Sequence, residues 1–425
     1  MRILWVVNHK MRDLALELGE KPILSGSWLI DISKLIAEKN ENKLYVVCPS
    51  NSENIRVEVN DIVYYTLRMK NYDKFIKPSK SLFKAAESLM EEVKPDIIHI
   101  QGSEFAFNLA FLRSKSIPTL LSIQGLISQI TNKNYFYAGI NDKKYRKSYF
   151  DKLTMIFPEH IKMIRNKFRA RSEIKQIKSC CNIAGRTSWD HANTYFINKD
   201  AKYFHLQETI RSSFFEHDWS YSKLEKYSIF AAGGFSSPLK GFHKILESVI
   251  LLRDEFPNIL IKVPGPDLLN KRSSLGYNKL LYDFIKVNKL ENNIRFLGNL
   301  DDQQMAYEFS TAHVYVMGSS IENSSNTLGE AMTVGTPSVV SFVGGTSSLI
   351  TDEIEGLYYR FGDVKHMAWQ IRRLLSDNKY AGTCSRNAKE RARKQYSNTN
   401  SYIKLFKVYE EIVSSNSGNT LEKYT

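Results

Sequence analysis

Short runs rich in β-branched and aromatic residues alternate with helical patterns along this chain of 425 residues. Such alternation is typical of parallel sheets whose strands are joined by crossover helices. We predict seven strands in the first half, at 3–8, 43–48, 62–66, 96–100, 118–123, 182–185 and 202–206. Five more are predicted in the second half, at 228–232, 259–263, 294–297, 313–317 and 337–342. The pattern therefore predicts an α/β protein with one doubly wound sheet in each half.

A polar, aromatic segment at 215–226 separates the two series of strands, and the chain is long enough for two domains. We predict a first Rossmann-like domain at 1–218 and a second at 219–394. Residues 395–413 continue a helical pattern, and 414–425 are mostly small and polar, as is typical of a flexible tail. Ligands of doubly wound sheets bind beyond the carboxyl ends of the strands, so a cleft between the domains is the expected site.

The composition excludes several classes of protein. The four cysteines form no C-x-x-C pair, so neither a zinc site nor a disulfide framework is predicted. No apolar run reaches the roughly 18 residues of a membrane span, and the apolar start is too short for a signal peptide. We therefore expect a cytoplasmic protein that at most attaches to the inner face of the membrane. The formal net charge of +14 indicates an anionic partner: nucleic acid, an anionic membrane or a phosphate-bearing substrate.

The most informative motif lies between two glutamates, Glu322 and Glu330, which are separated by seven residues. Asn and Ser side chains accept the first unpaired N–H groups of a helix, so we predict a cap within 323–326 and a helix from Thr327 to Val334. A polar helix N-terminus suits a phosphate group, and carboxylates accept hydrogen bonds from sugar hydroxyls. A nucleotide sugar is the ligand that carries a diphosphate between two sets of hydroxyls.

This segment resembles the signature of retaining glycosyltransferases of the GT-B fold, of the family 4 type. The resemblance implies two Rossmann-like domains that face each other across a cleft, and a C-terminal helix that crosses back to the first. It implies that Glu322 holds the transferred sugar and that Glu330 holds the ribose of the donor. The helix start would hold the diphosphate through Asn326, Thr327 and Leu328. The segment departs from the family at 323–325, where members more often carry a glycine and an aromatic, so the sugar preference stays open.

A second phosphate contact is predicted at Lys240, after a glycine turn. Ser237 suits a helix cap and Pro238 a first helical position, which places Lys240 in the first helical turn. A cation there opposes the helix dipole, and a bound anion would offset that cost. The family resemblance agrees, because members use a lysine at this position on the donor diphosphate. Many members also carry an arginine where this chain has Phe235, and Arg186 and Arg211 are candidates to supply that charge.

Glycines that follow predicted strands also match the family order. The resemblance adds Gly26, Gly234, Gly298 and Asn299 to the donor-binding set. Gly26 would let the backbone approach either the donor phosphate or the acceptor hydroxyl. Because glycine after a strand is also a turn requirement, a structural role stays open for these positions.

The first domain is expected to bind the acceptor. The candidate sugar or acceptor contacts are His99, Gln124 and Arg186. His99 alternates with apolar residues in a predicted strand, which also suits an interior histidine with satisfied hydrogen bonds. Gln124 stands where many family members carry histidine, and its amide hydrogen-bonds a sugar but does no acid–base work.

A side chain that cannot act as a base at Gln124 is consistent with a retaining mechanism. In the proposal usual for retaining GT-B enzymes, the leaving diphosphate accepts the acceptor's proton, so no separate base is needed. Lys240 and Glu322 are then the predicted catalytic residues, with the leaving-group charge stabilised by Lys240 and the helix N-terminus. There is no Asp-x-Asp motif, and we expect neither a metal ion nor a cofactor.

From Asp142 to Lys178 the chain has twelve Lys or Arg residues against four acids. Apolar residues recur every three or four positions through this stretch: Phe150, Leu153, Phe157, Ile161, Ile164 and Phe168. Residues 143–178 are therefore a candidate peripheral membrane contact, with Pro158 expected to divide them into two helices. An apolar face packed on the first domain, with a solvated basic side, is the alternative.

The function predicted is a hexosyltransferase-type, retaining glycosyltransferase that moves a sugar from a nucleoside-diphosphate sugar to a glycan or lipid-linked acceptor. Segments 184–190 and 207–211 resemble those of bacterial surface-polysaccharide members, which points to cell-surface polysaccharide synthesis. One alternative is a sugar-nucleotide epimerase on the same fold, whose acid–base groups fit poorly with Gln124. The other is a non-catalytic basic protein that binds a membrane surface or nucleic acid. No nucleic-acid-binding module is recognisable, so nucleic acid is not predicted as a partner.

Overall fold

A computed structural model of the chain describes residues 1–21, 28–39, 41–114, 116–140, 158–270 and 276–421. The chain forms two compact units, each built on its own sheet. Unit 1 comprises Met1–Ser128, Arg165–Arg211 and Tyr396–Thr425, and unit 2 comprises Gln129–Ile164 and Ser212–Gln395. Of the helices that the structure describes, none combines the length and apolar character that a membrane span requires.

The strands of unit 1 are β1 (Arg2–Val7), β2 (Lys43–Ser50), β3 (Ile55–Val59), β4 (Ile62–Arg68), β5 (Ile97–Gln101), β6 (Thr119–Ser122), β7 (Asn182–Gly185) and β8 (Lys202–His205). They lie in the order β3-β4-β2-β1-β5-β6-β7-β8, and β3 alone pairs antiparallel. β3 was not predicted. It forms a hairpin with β4 through Asn60 and Asp61, which both have positive φ, a conformation that these short polar residues tolerate.

The strands of unit 2 are β9 (Glu225–Phe230), β10 (Leu260–Val263), β11 (Ile294–Phe296), β12 (Ala312–Met317), β13 (Ser338–Ser341) and β14 (Leu357–Tyr359). They are parallel and lie in the order β11-β10-β9-β12-β13-β14, the doubly wound Rossmann order. The twelve predicted strands are all present, and the three-residue β14 is an addition. The order reverses between β9 and β12 in unit 2, and between β1 and β5 in unit 1.

Helices connect the strands of both units. They are α1 (Arg12–Glu17), α2 (Trp28–Ala37), α3 (Asn71–Phe75), α4 (Lys80–Val93), α5 (Ile127–Ile130), α6 (Lys133–Phe136), α7 (Pro158–Ser179), α8 (Ser188–Ile197), α9 (Phe242–Leu252), α10 (Gly276–Val287), α11 (Asp302–Thr311), α12 (Asn326–Val334), α13 (Val364–Ser376), α14 (Asn378–Gln395) and α15 (Asn398–Leu421). In α4, for example, apolar residues recur at helical spacing and bury one face, and Ser79 Oγ accepts the Leu82 amide at 3.3 Å. The covered faces of these helices build the apolar cores around the sheets.

The last helix, α15, packs within unit 1 beside the first strand. Leu405, Tyr409 and Ile412 join the apolar cluster formed by β1, β2 and α2. Trp5 Nε1 donates to the Tyr409 hydroxyl at 3.0 Å. The same hydroxyl lies 2.6 Å from His99 Nδ1. The helix begins at Asn398 and continues to Leu421, so residues 414–421, predicted as part of a flexible tail, are helical.

The unit boundaries differ from the predicted domain boundaries. Unit 2 takes up the chain again at Ser212, and it also includes 129–164, which the sequence placed in the first domain. Two hydrogen bonds tie the described start of this stretch to unit 2: Ser320 Oγ donates to Tyr135 O at 2.6 Å, and His243 Nε2 lies 3.0 Å from Ala138 O. Contacts between residues that are more than 100 positions apart leave no local signal in the sequence.

Candidate functional site

Two loops of unit 2 meet beyond the carboxyl ends of β9 and β12, where the strand order reverses. The loop after β9 reaches Gly241, which has φ +65°, and the loop after β12 begins at Gly318. A Cβ on Gly241 would overlap the Gly318 carbonyl oxygen, and a Cβ on Gly318 would lie 2.8 Å from Gly241 O. Only glycines permit this approach, which places the polar residues of both loops side by side.

The structure corrects the predicted position of Lys240. Ser237 does cap a turn, since its Oγ accepts the Leu239 amide at 3.4 Å, and Pro238 is the first residue of that turn. However, the turn is a short 3-10 helix at Pro238–Lys240, and α9 starts only at Phe242, beyond the left-handed Gly241. Lys240 therefore precedes the long helix instead of lying in its first turn, because the contact between Gly241 and Gly318 interrupts the helix.

The two residues predicted to be catalytic form an ion pair across the loops. Lys240 Nζ lies 2.7 Å from Glu322 Oε1, and Ser319 Oγ donates to the same oxygen at 2.6 Å. The Lys240 side chain is 34% exposed and that of Glu322 is 14% exposed. The backbone of Glu322 is held as well, because its carbonyl accepts the Gly345 amide at 2.9 Å. The carboxylate is thus fixed next to a cation that remains reachable from solvent.

Helix α12 starts at the same place. Its first residue is Asn326, one earlier than predicted, and Ser325 is the cap, with its Oγ accepting the Leu328 amide at 3.3 Å. Thr327 Oγ1 lies 2.9 Å from the Tyr315 hydroxyl and 3.0 Å from Ser325 Oγ. Burial raises the pKa of Tyr315, so this phenol stays protonated at neutral pH. The Leu328 amide was predicted to donate a hydrogen bond to a phosphate group. In this structure it donates to the capping residue Ser325 instead.

Glu330 lies on α12 and is buried, with 6% of its surface exposed. It follows Thr327 by three positions and so shares a helix face with it. A small cavity of about 10 Å³ is lined by Gly233, Gly234, Lys240, Ser319, Glu322 and Thr327. This cavity has room for about one water molecule.

Phe235, which stands where many members of the resembled family carry arginine, is a core residue. It is 4% exposed, and its ring centroid lies 5.7 Å from those of both Phe242 and Phe296. A Cβ on Gly265 would come within 2.9 Å of this ring. The missing arginine is therefore replaced by apolar packing, and this position contributes no charge to the site.

The remaining glycines of the donor set have structural tasks in unit 2. Gly234 has φ +64° and donates its amide to Ala231 O at 3.0 Å. Gly298 and Gly265 exchange hydrogen bonds of 3.0 and 2.8 Å, which tie the loops after β10 and β11 together. Asn299 is exposed beside them. Because the Gly298 amide is already used, the turn requirement accounts for this glycine.

His99, Gln124 and Arg186 line one cavity of about 60 Å³ in unit 1. His99 is buried, and burial lowers its pKa to about 3, so it is a neutral interior histidine. The Arg186 guanidinium pairs with Glu208 and donates to Gln124 O at 2.8 Å. Arg186 and Arg211, the candidates for the missing positive charge, both belong to unit 1, where Glu208 neutralises Arg186. Gly26 lies outside the described residues.

The basic segment 143–178 is described only from Pro158 onward, and its apolar positions Phe150, Leu153 and Phe157 lie outside the described residues. Pro158 is the first described residue of α7, a single helix of 22 residues. On it Ile161, Ile164 and Phe168 are 37%, 55% and 36% exposed, so among the described residues this part of the predicted apolar face is only partly covered. Among the residues that the structure describes, no cluster of three or more His, Cys, Asp or Glu side chains is placed to hold a metal ion.

Sequence reasoning selected Glu322 and Lys240 as candidates but missed two residues that position Glu322. Ser319 lies three residues before Glu322, and its hydrogen bond to Glu322 was not anticipated. Gly344 has φ +53°, and a Cβ there would overlap the Glu322 carbonyl oxygen. The Gly344-Gly345 pair is the signal that marks this close approach, since paired glycines after a strand indicate tight backbone contact.

Comparison with known proteins agrees with this geometry. Residues 213–391, which include Lys240, Glu322 and Glu330, match the family model of glycosyl transferases group 1. An uncharacterised glycosyltransferase of Methanocaldococcus jannaschii is 31% identical over 120 residues, which are 28% of this chain and 31% of the relative. The chain thus spans about a third of the length of that relative.

Two solved structures resemble the whole chain. The sucrose-phosphate synthase of Thermosynechococcus elongatus has a TM-score of 0.71 at 14% identity, with 98% of this chain and 100% of the other covered. The Anabaena protein HepE in complex with UDP has a TM-score of 0.68 at 14% identity, with 97% and 100% covered. These similarities show that the chain has the predicted fold, GT-B, with two Rossmann-like domains.

Proposed function

We propose that the protein is a glycosyltransferase that transfers a sugar from a nucleoside-diphosphate sugar to a glycan or lipid-linked acceptor. The observation that carries this proposal is the Lys240–Glu322 ion pair beside the N-terminus of α12. The pair lies at the reversal of a doubly wound sheet, where such sheets bind nucleotides. The family match over residues 213–391 supports the same activity.

The donor would replace the contact between the two side chains with contacts of its own. The diphosphate takes Glu322's place beside Lys240, and the first turn of α12 contributes its amide dipoles. Glu322, freed from Lys240 but still held by Ser319, then accepts hydrogen bonds from hydroxyls of the transferred sugar. Glu330, further along α12, would accept from the ribose.

The first test of the proposal is a thermal-shift panel of UDP, GDP, ADP and their common sugar conjugates. A matching ligand at about 100 times its Kd stabilises a protein by about 2.7 kcal/mol, which raises the melting temperature of a domain of about 150–250 residues by roughly 5–11 °C. We expect one nucleotide series to give such a shift and Glu330→Gln to reduce it. The exposed Glu390→Gln on α14 is the matched control and should behave like the unaltered protein. If no nucleotide shifts the melting temperature, the proposal is wrong.

We further infer that the transfer is retaining and independent of metal ions. If the leaving diphosphate accepts the acceptor's proton on the same face, no protein base is needed and the anomeric configuration is kept. Lys240 would supply the positive charge that a metal ion provides in other enzymes. Proton NMR of the product, recorded before anomers equilibrate, should show the configuration of the donor, and EDTA should leave the rate unchanged. An inverted product would exclude the retaining assignment, and loss of activity in EDTA the metal-independent one.

The exposed apolar residues of α7 support a proposed contact with the inner face of an anionic membrane, and thus a lipid-linked acceptor in surface-polysaccharide synthesis. Ile161, Ile164 and Phe168 alternate there with lysines and arginines, each worth on the order of 1 kcal/mol near an anionic surface. We expect the protein to co-sediment with phosphatidylglycerol vesicles. This binding should weaken at higher salt concentration, and it should be weaker for the Ile164→Ser variant. Val287→Ser, at an 80% exposed apolar position on α10, is the control. Equal binding to phosphatidylcholine vesicles would contradict the proposal.

A further inference from the structure

Polar side chains from three loops of unit 1 converge where the order of its sheet reverses, between β1 and β5. Asn8 follows β1, Glu104 follows β5, and Gln124 follows β6. Asn8 Nδ2 donates to Glu104 Oε2 at 2.7 Å. A Cβ on Gly102, which has φ +104°, would overlap Glu104 Oε2 and lie 2.8 Å from Asn8 Nδ2 and 3.1 Å from Gln124 Cγ. The three side chains therefore share the space above one glycine, at the edge where doubly wound sheets bind ligands.

Buried amides anchor the loop that carries Glu104. Gln176 Nε2, on α7, donates to Ser103 O and to Phe105 O, each at 3.0 Å. Asn108 Nδ2 donates to Gly102 O at 2.7 Å. The backbone is thus held on both sides of Glu104, so the position of its carboxyl group is fixed by the interior of the unit and not by solvent.

The same helix also fixes the loop that carries Gln124. Glu173, on α7 and buried, accepts the amides of Ile127 at 2.7 Å and Ser128 at 3.0 Å. Gln176 and Glu173, three positions apart on α7, therefore hold the loops after β5 and β6 in a common frame. Proteins preorganise a binding site by holding its polar residues with hydrogen bonds from surrounding residues, as Gln176 and Glu173 do here.

The surroundings of the Glu104 carboxyl group disfavour its charged form. Burial raises its pKa to about 7, the charge of Glu173 adds to this, and Arg169 and the hydrogen bond from Asn8 oppose it. On α3, Lys74 Nζ lies 4.5 Å from the ring centroid of Phe105, the residue that follows Glu104. Because this pKa is above the usual value, the group favours the folded state at low pH, and that contribution is lost as the pH rises toward about 7.

We propose that Glu104, Asn8 and Gln124 form a hydroxyl-binding subsite for the carbohydrate acceptor, in which the carboxylate of Glu104 accepts a hydrogen bond from an acceptor hydroxyl. A hydrogen bond is stronger when the oxygen that accepts it is charged, as a carboxylate oxygen is. The side-chain amides of Asn8 and Gln124 can donate hydrogen bonds to adjacent hydroxyls of the carbohydrate. The residues lie in unit 1, whereas the donor elements lie in unit 2. This inference rests on the proposed function and assigns the acceptor side of the same reaction.

The test compares Glu104→Gln, which keeps the shape and removes the charge, with Glu91→Gln at an exposed position of α4. Transfer is measured from the nucleotide sugar that stabilises the protein to a set of p-nitrophenyl glycosides, alongside donor hydrolysis by water. We expect Glu104→Gln to lower kcat/KM for the acceptor roughly 10- to 100-fold, the size of a lost hydrogen bond to a charged group. Donor hydrolysis and nucleotide affinity should stay within twofold, as should all readouts of Glu91→Gln.

The pH profile separates binding from a structural role. Transfer by the unaltered protein should rise with pH through about 7, as Glu104 ionises, and the profile of Glu104→Gln should lack this rise. At pH 8 the variant should melt no lower than the unaltered protein, because it removes a charge that the fold disfavours.

Several results would overturn the inference. If Glu104→Gln leaves kcat/KM for the acceptor unchanged, Glu104 does not bind the acceptor. If the variant also loses affinity for the nucleotide, Glu104 contacts the donor instead. A melting temperature lowered by several degrees at pH 8 would show a structural role. If the unaltered protein binds no nucleotide sugar and transfers nothing, the proposed function fails and this inference with it. Nucleotide binding with unaffected Glu104→Gln kinetics would defeat the inference alone.

Discussion

Replacing Lys240 with alanine is expected to lower the rate of sugar transfer by roughly 10²- to 10³-fold, the loss typical of removing one preorganised donor to developing charge. Lys240 Nζ lies 2.7 Å from Glu322 and is the cation beside the start of α12. When the bond from the sugar to the diphosphate breaks, negative charge grows on the leaving oxygens. Without Lys240 that charge loses this cation, and the amide dipoles of the helix remain.

Steady-state kinetics with the donor identified by thermal shift would measure this effect. The loss should appear mainly in kcat, because the interaction strengthens as the charge develops. Lys244→Ala is a matched control, since Lys244 lies four residues further on and pairs with Glu247 at 2.9 Å instead. A Lys240→Ala enzyme whose kcat stays within twofold of the unaltered protein would show that Lys240 is not a catalytic residue.

The second large effect is expected for Gly241→Ala, which should destabilise unit 2 by more than about 3 kcal/mol. Two costs combine here. A residue with a side chain is strained at φ +65°, and its Cβ would overlap the Gly318 carbonyl oxygen. Since this contact joins the loops that hold Lys240 and Glu322, we also expect the variant to lose transfer activity.

Gly362→Ala separates the two costs. Gly362 also has positive φ, +88°, but nothing lies within 4 Å of the Cβ that it would gain, so only the backbone strain of about 1 kcal/mol is expected. Denaturation in urea, followed by intrinsic fluorescence, would compare the midpoints of both variants. Equal midpoints for Gly241→Ala and Gly362→Ala would mean that the two loops separate at little cost.

Most of the fold could be predicted because its strands are apolar runs that are long enough to be recognised in the sequence. β3 was missed since polar residues such as Arg56 and Glu58 alternate along it, as suits an edge strand with one solvated face. β14 has three residues, too few to give a period. The grouping of 129–164 with unit 2 depends on hydrogen bonds between distant residues, such as Ser320 with Tyr135, for which the local pattern has no sign.

The candidate site divides in the same way. Glu322, Glu330 and Lys240 were recognisable because they lie in short motifs around strand ends and helix starts. That Lys240 and Glu322 touch was not predictable, since it depends on the approach of Gly241 to Gly318, 77 positions later in the chain. Glu104, which we propose as an acceptor contact, was not predicted from the sequence for a related reason. Its sequence context is that of an ordinary loop residue, and only the structure shows that Gln176 and Asn108 hold the backbone of the residues before it.

The return of α15 to unit 1 affects how the chain must fold during synthesis. The indole of Trp5 finds its hydroxyl partner on Tyr409, 404 positions later. Unit 2 can assemble as soon as Gln395 has left the ribosome, whereas the sheet that is translated first must wait for the final helix. Unit 1 is therefore begun before unit 2 and completed after it, and closing its contact between residues 404 positions apart carries a loop-closure entropy that slows folding more than local contacts do.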